Sequence, residues 1–143
     1  MLVFVDTSAW ISLYKRKDPH HDAVREAFQR LVLDSVGLVT SSDVLDETYT
    51  RLRYDAGHRH ALDFGSYIRD ALQARLLVLR WVNEEISQAA WEIFEKYSDH
   101  TLSMIDCTSA VIARTDRVSA VLTLDRDFEI LGFAVLPSPS PEH

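Results

Sequence analysis

The chain has 143 residues, the size of one domain, and its 47% hydrophobic and 26% charged residues are those of an ordinary globular protein. Four Gly and four Pro exclude a collagen-like or low-complexity chain, and no apolar run approaches the roughly 20 residues of a membrane helix. A formal charge of −7, from 15 Lys+Arg against 22 Asp+Glu, argues against a protein that grips nucleic acid through a broad basic surface.

The opening run Leu2 to Val5 is continuously apolar and reads as a buried strand ending at Asp6. An acid reached so early, with no basic start or cleavage site, is not a signal peptide, and Cys107 as the single cysteine fits a reducing, cytoplasmic setting. Ala9, Trp10, Ile11, Leu13 and Tyr14 then predict a helix that Lys15 to Pro19 breaks. From His20 on, Val24, Ala27, Phe28, Leu31 and Val32 mark one apolar face of a second helix.

Residues 37–40 predict a short buried strand, after which Ser41 or Ser42 can cap a third helix running through Val44, Leu45, Thr48 and Leu52 to Gly57, a left-handed terminator. Ala61, Phe64, Ile68, Ala71 and Leu72 suggest a fourth helix, and residues 76–79 a strand. Asn83 can cap the next helix, whose stripe is Ile86, Ala89, Ala90, Ile93, Phe94 and Tyr97. Ser103 opens another with Ala110, Val111 and Ala113 inward, residues 119–124 predict a strand ending at Asp125, and residues 133–136 close the sheet. The expected organisation is one domain over residues 1–136 and a Pro/Ser-rich, polyproline-like tail over 137–143. Strands that alternate with helices and are apolar throughout imply an α/β domain, a three-layer sandwich with a mostly parallel central sheet covered on both faces.

In such sheets the binding crevice lies outside the carboxyl ends of the strands. Asp6 and Asp125, with Asp127 two residues on, follow two strands and so converge on that rim. Glu47 and Asp106 lie inside apolar helical segments, where an ionised carboxylate is costly unless paired or bound to metal. Each has a structural reading too. Asp6 can cap the helix it precedes, Asp106 stands three residues after Ser103 as in a capping box, Glu47 can pair with Arg51, and Asp125-Arg126-Asp127 can be a solvated turn. Together the four acids are better explained by a shared site. Carboxylates with no His or Cys among them are hard oxygen ligands that suit Mg²⁺ or Mn²⁺. Such an ion activates water and neutralises a phosphodiester's developing charge, and it reverses the local sign of charge in an acidic protein.

Four segments then resemble one family, in order and at its intervals: Phe4-Val5-Asp6-Thr7-Ser8-Ala9-Trp10, residues 40–48 around Glu47, Ser103-Met104-Ile105-Asp106-Cys107, and Leu122-Thr123-Leu124-Asp125-Arg126-Asp127-Phe128. They are similar to the PIN domain, a metal-dependent ribonuclease fold, and in particular to the VapC-type toxins of toxin–antitoxin pairs. The resemblance implies that Asp6, Glu47, Asp106 and Asp125 form an acidic quartet holding one or two Mg²⁺ or Mn²⁺ ions, with Asp127 as a secondary or alternative ligand to Asp125. It gives Thr7, Ser8 and Thr123 hydroxyls that orient water or phosphate, although each can instead satisfy local backbone groups. It implies in-line attack of an activated water on RNA, a homodimer, and an antitoxin protein whose tail enters the acidic site.

Lys15, Arg16, Lys17, Arg51, Arg53, His58, Arg59 and His60 are candidates to dock flanking phosphates, with a solvated charged face as the alternative. Trp10, Leu13, Tyr14 and Phe28 could line an apolar groove for the antitoxin or simply form core. The competing enzyme is a HAD-type phosphatase, which wants a second Asp two residues after Asp6, where this chain has Ser8. A receiver domain wants a late-strand Lys, and the only lysines are 15, 17 and 96. A PIN-like interaction module without catalysis would keep the fold and dispense with the acids.

Overall fold

In the computed structural model, which describes residues 1–138, the apolar runs become five strands and the stretches between them seven helices. β1 (Leu2–Val5) leads through α1 (Thr7–Tyr14) and α2 (His21–Leu33) to β2 (Gly37–Ser41), and α3 (Ser42–Asp55) and α4 (His58–Gln73) lead on to β3 (Leu77–Arg80). α5 (Glu84–Lys96) and α6 (Met104–Thr115) reach β4 (Ala120–Leu122), and the short α7 (Asp127–Ile130) reaches β5 (Val135–Leu136). The strand order is β3-β2-β1-β4-β5 and every pairing is parallel, so the expected α/β sandwich is present. From β1 the chain builds outward to β2 and β3, then returns to lay β4 on the other flank of β1. The order therefore reverses between β1 and β4, where the carboxyl ends of an open parallel sheet leave a crevice.

Val3, Phe4 and Val5 are fully buried in the central strand, as a sheet with both faces covered requires. Trp10 of α1 is buried too and packs edge-to-face on Phe28 and Phe64, with ring centroids 5.8 and 5.5 Å away. Its indole N–H donates to Thr40 Oγ1, which donates in turn to the Val5 carbonyl, so the cluster leaves that buried donor satisfied. Ser41 and Asn83 accept from the N–H groups of Val44 and Ile86 as N-caps, the first of the two alternatives for α3 and the one expected for α5.

Several boundaries differ from expectation for identifiable reasons. Leu76 is not in β3. Arg75 is left-handed (φ 58) and the Leu76 N–H returns to the Ala71 carbonyl, so Leu76 belongs to the stop of α4. Ser35 and Arg117 end α2 and α6 in the same way without glycine, at φ 56 and 54, while Gly57 sits at φ 110 and ψ 160, outside the left-handed helical region expected of it. β4 stops at Leu122 instead of 124 because the Leu124 N–H is taken by the Ser8 hydroxyl, and β5 is shortened to Val135–Leu136. Asp127, the last residue of the possible Asp125-Arg126-Asp127 turn, instead begins α7, which runs to Ile130. Phe94 and Val32, expected inward, are exposed, Phe94 stacking on Trp91. The polyproline-like character expected of the tail falls largely on residues 139–143, outside the described residues. Among the described residues no helix is long and apolar enough to cross a membrane.

Candidate active site

Asp6 occupies the N-cap position of α1, yet its carboxylate caps nothing there. Its backbone carbonyl accepts from Ala9 and Trp10, and its side chain turns to the β4 flank, where Oδ2 accepts from Thr123 Oγ1 at 2.8 Å and Ser8 Oγ at 3.3 Å. Both hydroxyls work twice. Ser8 Oγ accepts from the Leu124 N–H at 2.9 Å and Thr123 Oγ1 from the Asp125 N–H at 3.0 Å. One hydroxyl pair thus fixes the Asp6 carboxylate and the loop that carries Asp125. Asp125 Oδ1 in turn accepts from the Asp127 N–H at 2.9 Å, so Asp127 supports Asp125 through its backbone. Among the described residues the buried Thr7 hydroxyl has no hydrogen-bond partner.

Asp106 does form the capping box that its spacing from Ser103 suggests. Ser103 Oγ accepts from the Asp106 N–H and Asp106 Oδ2 accepts from the Ser103 N–H, at 3.0 and 2.9 Å. This engages one oxygen only, and among the described residues Oδ1 has no hydrogen-bond donor. Cys107 beside it is fully buried, its thiol pKa pushed up by burial and by the charge of Asp106, so it is a small core residue rather than a thiolate.

The electrostatics tie the acids together. Asp6 is 4% exposed, and its pKa is raised from 3.8 to about 6, first by burial, against the opposing hydrogen bond from Thr123, and further by the charges of Asp106 and Glu47. Asp106 is also raised, first by burial and then by Asp125 and Glu47, against its bonds to Ser103. Asp106 and Glu47 therefore act on Asp6, and Asp125 and Glu47 on Asp106, near the β1/β4 reversal. Asp127 is not among the groups that perturb Asp6 or Asp106. Glu47 is half-buried where its neighbour Asp46 is exposed, and it lines an open cleft of about 510 Å³ with Asp43, Asp46, Thr50, Arg51 and Ile105. No ion pair joins Glu47 to Arg51 among the described residues.

Asp43 is a residue that sequence reasoning leaves as a surface acid. Its Oδ2 accepts from Thr108 Oγ1 at 3.1 Å, pinning the start of α3 to α6 across the cleft. No periodicity signals a contact between residues so far apart in sequence. The proposed apolar groove is not there as a unit. Trp10 is core and Phe28 packs on it, whereas Leu13 and Tyr14 line a cavity of about 720 Å³ with Lys15, Arg16, Lys17, Asp55 and His60 beyond the far end of α1. Arg59 is paired with Asp63.

Divalent metal passes a test of fit on the donors themselves. They are all carboxylate oxygens, and burial first and neighbouring charge second raise the pKa values of Asp6 and Asp106, which a cation would relieve. Among the described residues no three His, Cys, Asp or Glu groups converge on a single point, so these side chains make no complete metal cage by themselves.

A parallel α/β sheet with mutually repelling acids at its strand-order reversal defines a class, and comparison with known proteins places the chain within it. The PIN domain family model matches residues 3–134, and the chain belongs to that family. It is 31% identical over 133 residues to the 23S rRNA-specific endonuclease VapC20 of Mycobacterium tuberculosis, covering 92% of this chain and 95% of that one. Ribonuclease VapC26 of the same organism is 28% identical over 138 residues, with 87% of each chain covered. The crystal structure of VapC20, described as a Sarcin-Ricin loop cleaving toxin, superposes with a TM-score of 0.79 at 28% identity, covering 92% of this chain and 96% of that one. VapBC2 from Rickettsia felis, bound to a fragment of its promoter DNA, shares the fold with a TM-score of 0.69 at 14% identity over 94% of this chain and 97% of that one. Family membership removes the phosphatase and receiver-domain readings.

Proposed function

We propose that the chain is a divalent-metal-dependent endoribonuclease of the VapC type, the toxin of a toxin–antitoxin pair, with Asp6, Glu47, Asp106 and Asp125 as its catalytic carboxylates. Asp127 is then a secondary group that steadies Asp125, and residues 1–136 are the nuclease unit. The observation that carries the reading is a buried Asp6 carboxylate at the sheet's reversal point, its pKa raised first by burial and further by the charges of the half-buried Asp106 and Glu47, an arrangement that costs stability and that a cation would relieve. Mg²⁺ or Mn²⁺ bound there supplies water activation and neutralises the charge developing on the phosphate.

The chain's own residues hold the geometry. Ser8 and Thr123 aim the Asp6 carboxylate, Thr123 and the Asp127 N–H fix Asp125, and the Ser103 box fixes Asp106. The similarity to a 23S rRNA-specific endonuclease makes ribosomal RNA the first substrate to try. An antitoxin protein that covers the site, and a homodimer, complete the proposal.

The test is cleavage of deproteinised 23S ribosomal RNA by the purified chain with Mg²⁺ or Mn²⁺, with and without EDTA, beside folded Asp6→Asn and Asp106→Asn variants. Metal-dependent cleavage that both variants lose is the expected result. Identical traces from wild type and variants would defeat the catalytic reading and leave an interaction module.

A further inference from the structure

The cations that flank the acids are sorted by the fold, and one set makes a groove of its own. α3 and α4 pack side by side, and between them lies an open groove of about 450 Å³ lined by Tyr49, Thr50, Arg53, His58, Gly65 and Arg69, with Ala61 and Leu62 on its wall. Among the described residues no carboxylate lines it, in a protein of net charge −7. Arg53 and Arg69 are exposed, and among the described residues neither has a carboxylate partner. The cavity beyond α1, by contrast, mixes Lys15, Arg16 and Lys17 with Asp55 and Asp63.

The groove also connects to the acids. Thr50 lines both the groove and the Glu47 cleft, so the two depressions adjoin at one residue of α3. Glu47 and Arg53 are six residues apart, about 9 Å along the helix axis at 1.5 Å per residue. Gly65 lines the groove without a side chain; a Cβ there would make ordinary contact with the Tyr49 ring at 3.4 Å, and a larger side chain at this lining position would take up groove space.

We propose that the α3–α4 groove seats the phosphate backbone of the RNA flanking the scissile bond, with Arg53 and Arg69 as its phosphate-binding residues and Gly65 as the position that keeps it open. The proposal rests on the ribonuclease reading and deepens it. Acids that hold metal and cations that hold neighbouring phosphates are complementary needs of one polyanionic substrate. Placing them side by side along α3 lets an acidic protein bind RNA without a basic surface. Arg suits the task because its planar fork matches phosphate oxygens, and two unpaired guanidiniums sacrifice no internal ion pair when RNA enters.

The experiment measures binding and cleavage separately. Binding of deproteinised 23S ribosomal RNA to the Asp6→Asn chain, which keeps the RNA intact, is followed against salt concentration with and without Arg53→Ala/Arg69→Ala. A charge-matched control, Arg25→Ala/Arg30→Ala on α2, is run beside it. Loss of two phosphate contacts should lower the slope of log K against log salt by about 1.4, at roughly 0.7 per contact on single-stranded RNA. In the chain with native Asp6, the groove variant should raise KM about 10-fold or more with kcat little changed. Gly65→Leu should raise KM without altering charge, while the α2 control alters neither slope nor KM. If wild type cuts the RNA and the groove variants match it in slope and KM, the groove proposal is overturned, and a protein partner becomes the occupant to seek. If wild type neither binds nor cuts the RNA, the ribonuclease reading itself falls and this inference with it.

Discussion

α1 joins two regions built on opposite principles. At its start, Asp6 is buried beside other acids and held by hydroxyls. On its inward face, Trp10 is buried among rings, with its one polar atom satisfied by Thr40. The aromatic region lowers the energy of the fold by close packing, whereas the acidic rim raises it by burying a carboxylate and setting like charges beside it. Substitutions in the two regions should therefore move stability in opposite directions, and this contrast is what experiment can break or sharpen.

The largest effect is expected in the aromatic region. Trp10→Ala should destabilise the protein by about 3–5 kcal/mol, read as a lower urea midpoint, because it removes the ring that Phe28 and Phe64 pack against and leaves a cavity. A loss below about 1 kcal/mol would mean that the cluster does not anchor α1 to the sheet.

The rim should respond with the reverse sign. The folded pKa of Asp6 is raised from 3.8 to about 6, so its stabilising contribution is complete below pH 3.8 and is lost as pH rises through about 6. In metal-free buffer at pH 7.5, Asp6→Asn should be more stable than wild type by about 3 kcal/mol, at 1.36 kcal/mol per pKa unit, and below pH 4 the difference should vanish. Adding Mg²⁺ at pH 7.5 should raise the Tm of wild type and leave the Asn variant almost unmoved. A destabilised Asn variant at pH 7.5 would show that Asp6 is structural and that its buried charge does not cost the fold stability.

A smaller effect is expected from the hydroxyl that serves both Asp6 and the Asp125 loop. Thr123→Val keeps the shape but removes the donor to Asp6 Oδ2 and the acceptor for the Asp125 N–H. Loss of such a supporting contact should weaken metal affinity or activity about 10–100-fold. Mn²⁺ titration followed by thermal shift measures the first and RNA cleavage the second. Full activity in the Val variant would mean that Ser8 alone holds the carboxylate.

These residues also show where sequence suffices. The apolar runs of β1 and β2 and the caps at Ser41, Asn83 and Ser103 act through neighbours a few positions away, and their periodicity and chemistry predict them. The strand ends predict Asp6 and Asp125 at one rim, because parallel strands carry their carboxyl ends to the same side. The end of β4 was not legible. It depends on Ser8 taking the Leu124 N–H, a bond between residues 116 apart. The stops of α2, α4 and α6 were hidden for a different reason, since Ser35, Arg75 and Arg117 adopt a conformation for which glycine is the usual signal. Arg69 was invisible as a groove residue because only the packing of α4 on α3 sets it beside Arg53.

The smallest predicted effect separates two roles that the sequence assigns to one residue. Asp106 is half of a capping box and, in the proposed function, a catalytic acid; its Oδ2 accepts from the Ser103 N–H, while among the described residues Oδ1 has no hydrogen-bond donor. Ser103→Ala removes the hydroxyl that caps α6 yet keeps the backbone N–H that holds Oδ2, so it should cost about 1 kcal/mol of stability and little activity. Asp106→Asn should do the reverse, abolishing cleavage while relieving the repulsion from Glu47 and Asp125. Urea denaturation and cleavage rates on both variants test the division. If Ser103→Ala stays folded and loses cleavage as completely as Asp106→Asn, the cap and the chemistry are not separable, and the Ser103 hydroxyl belongs to the site.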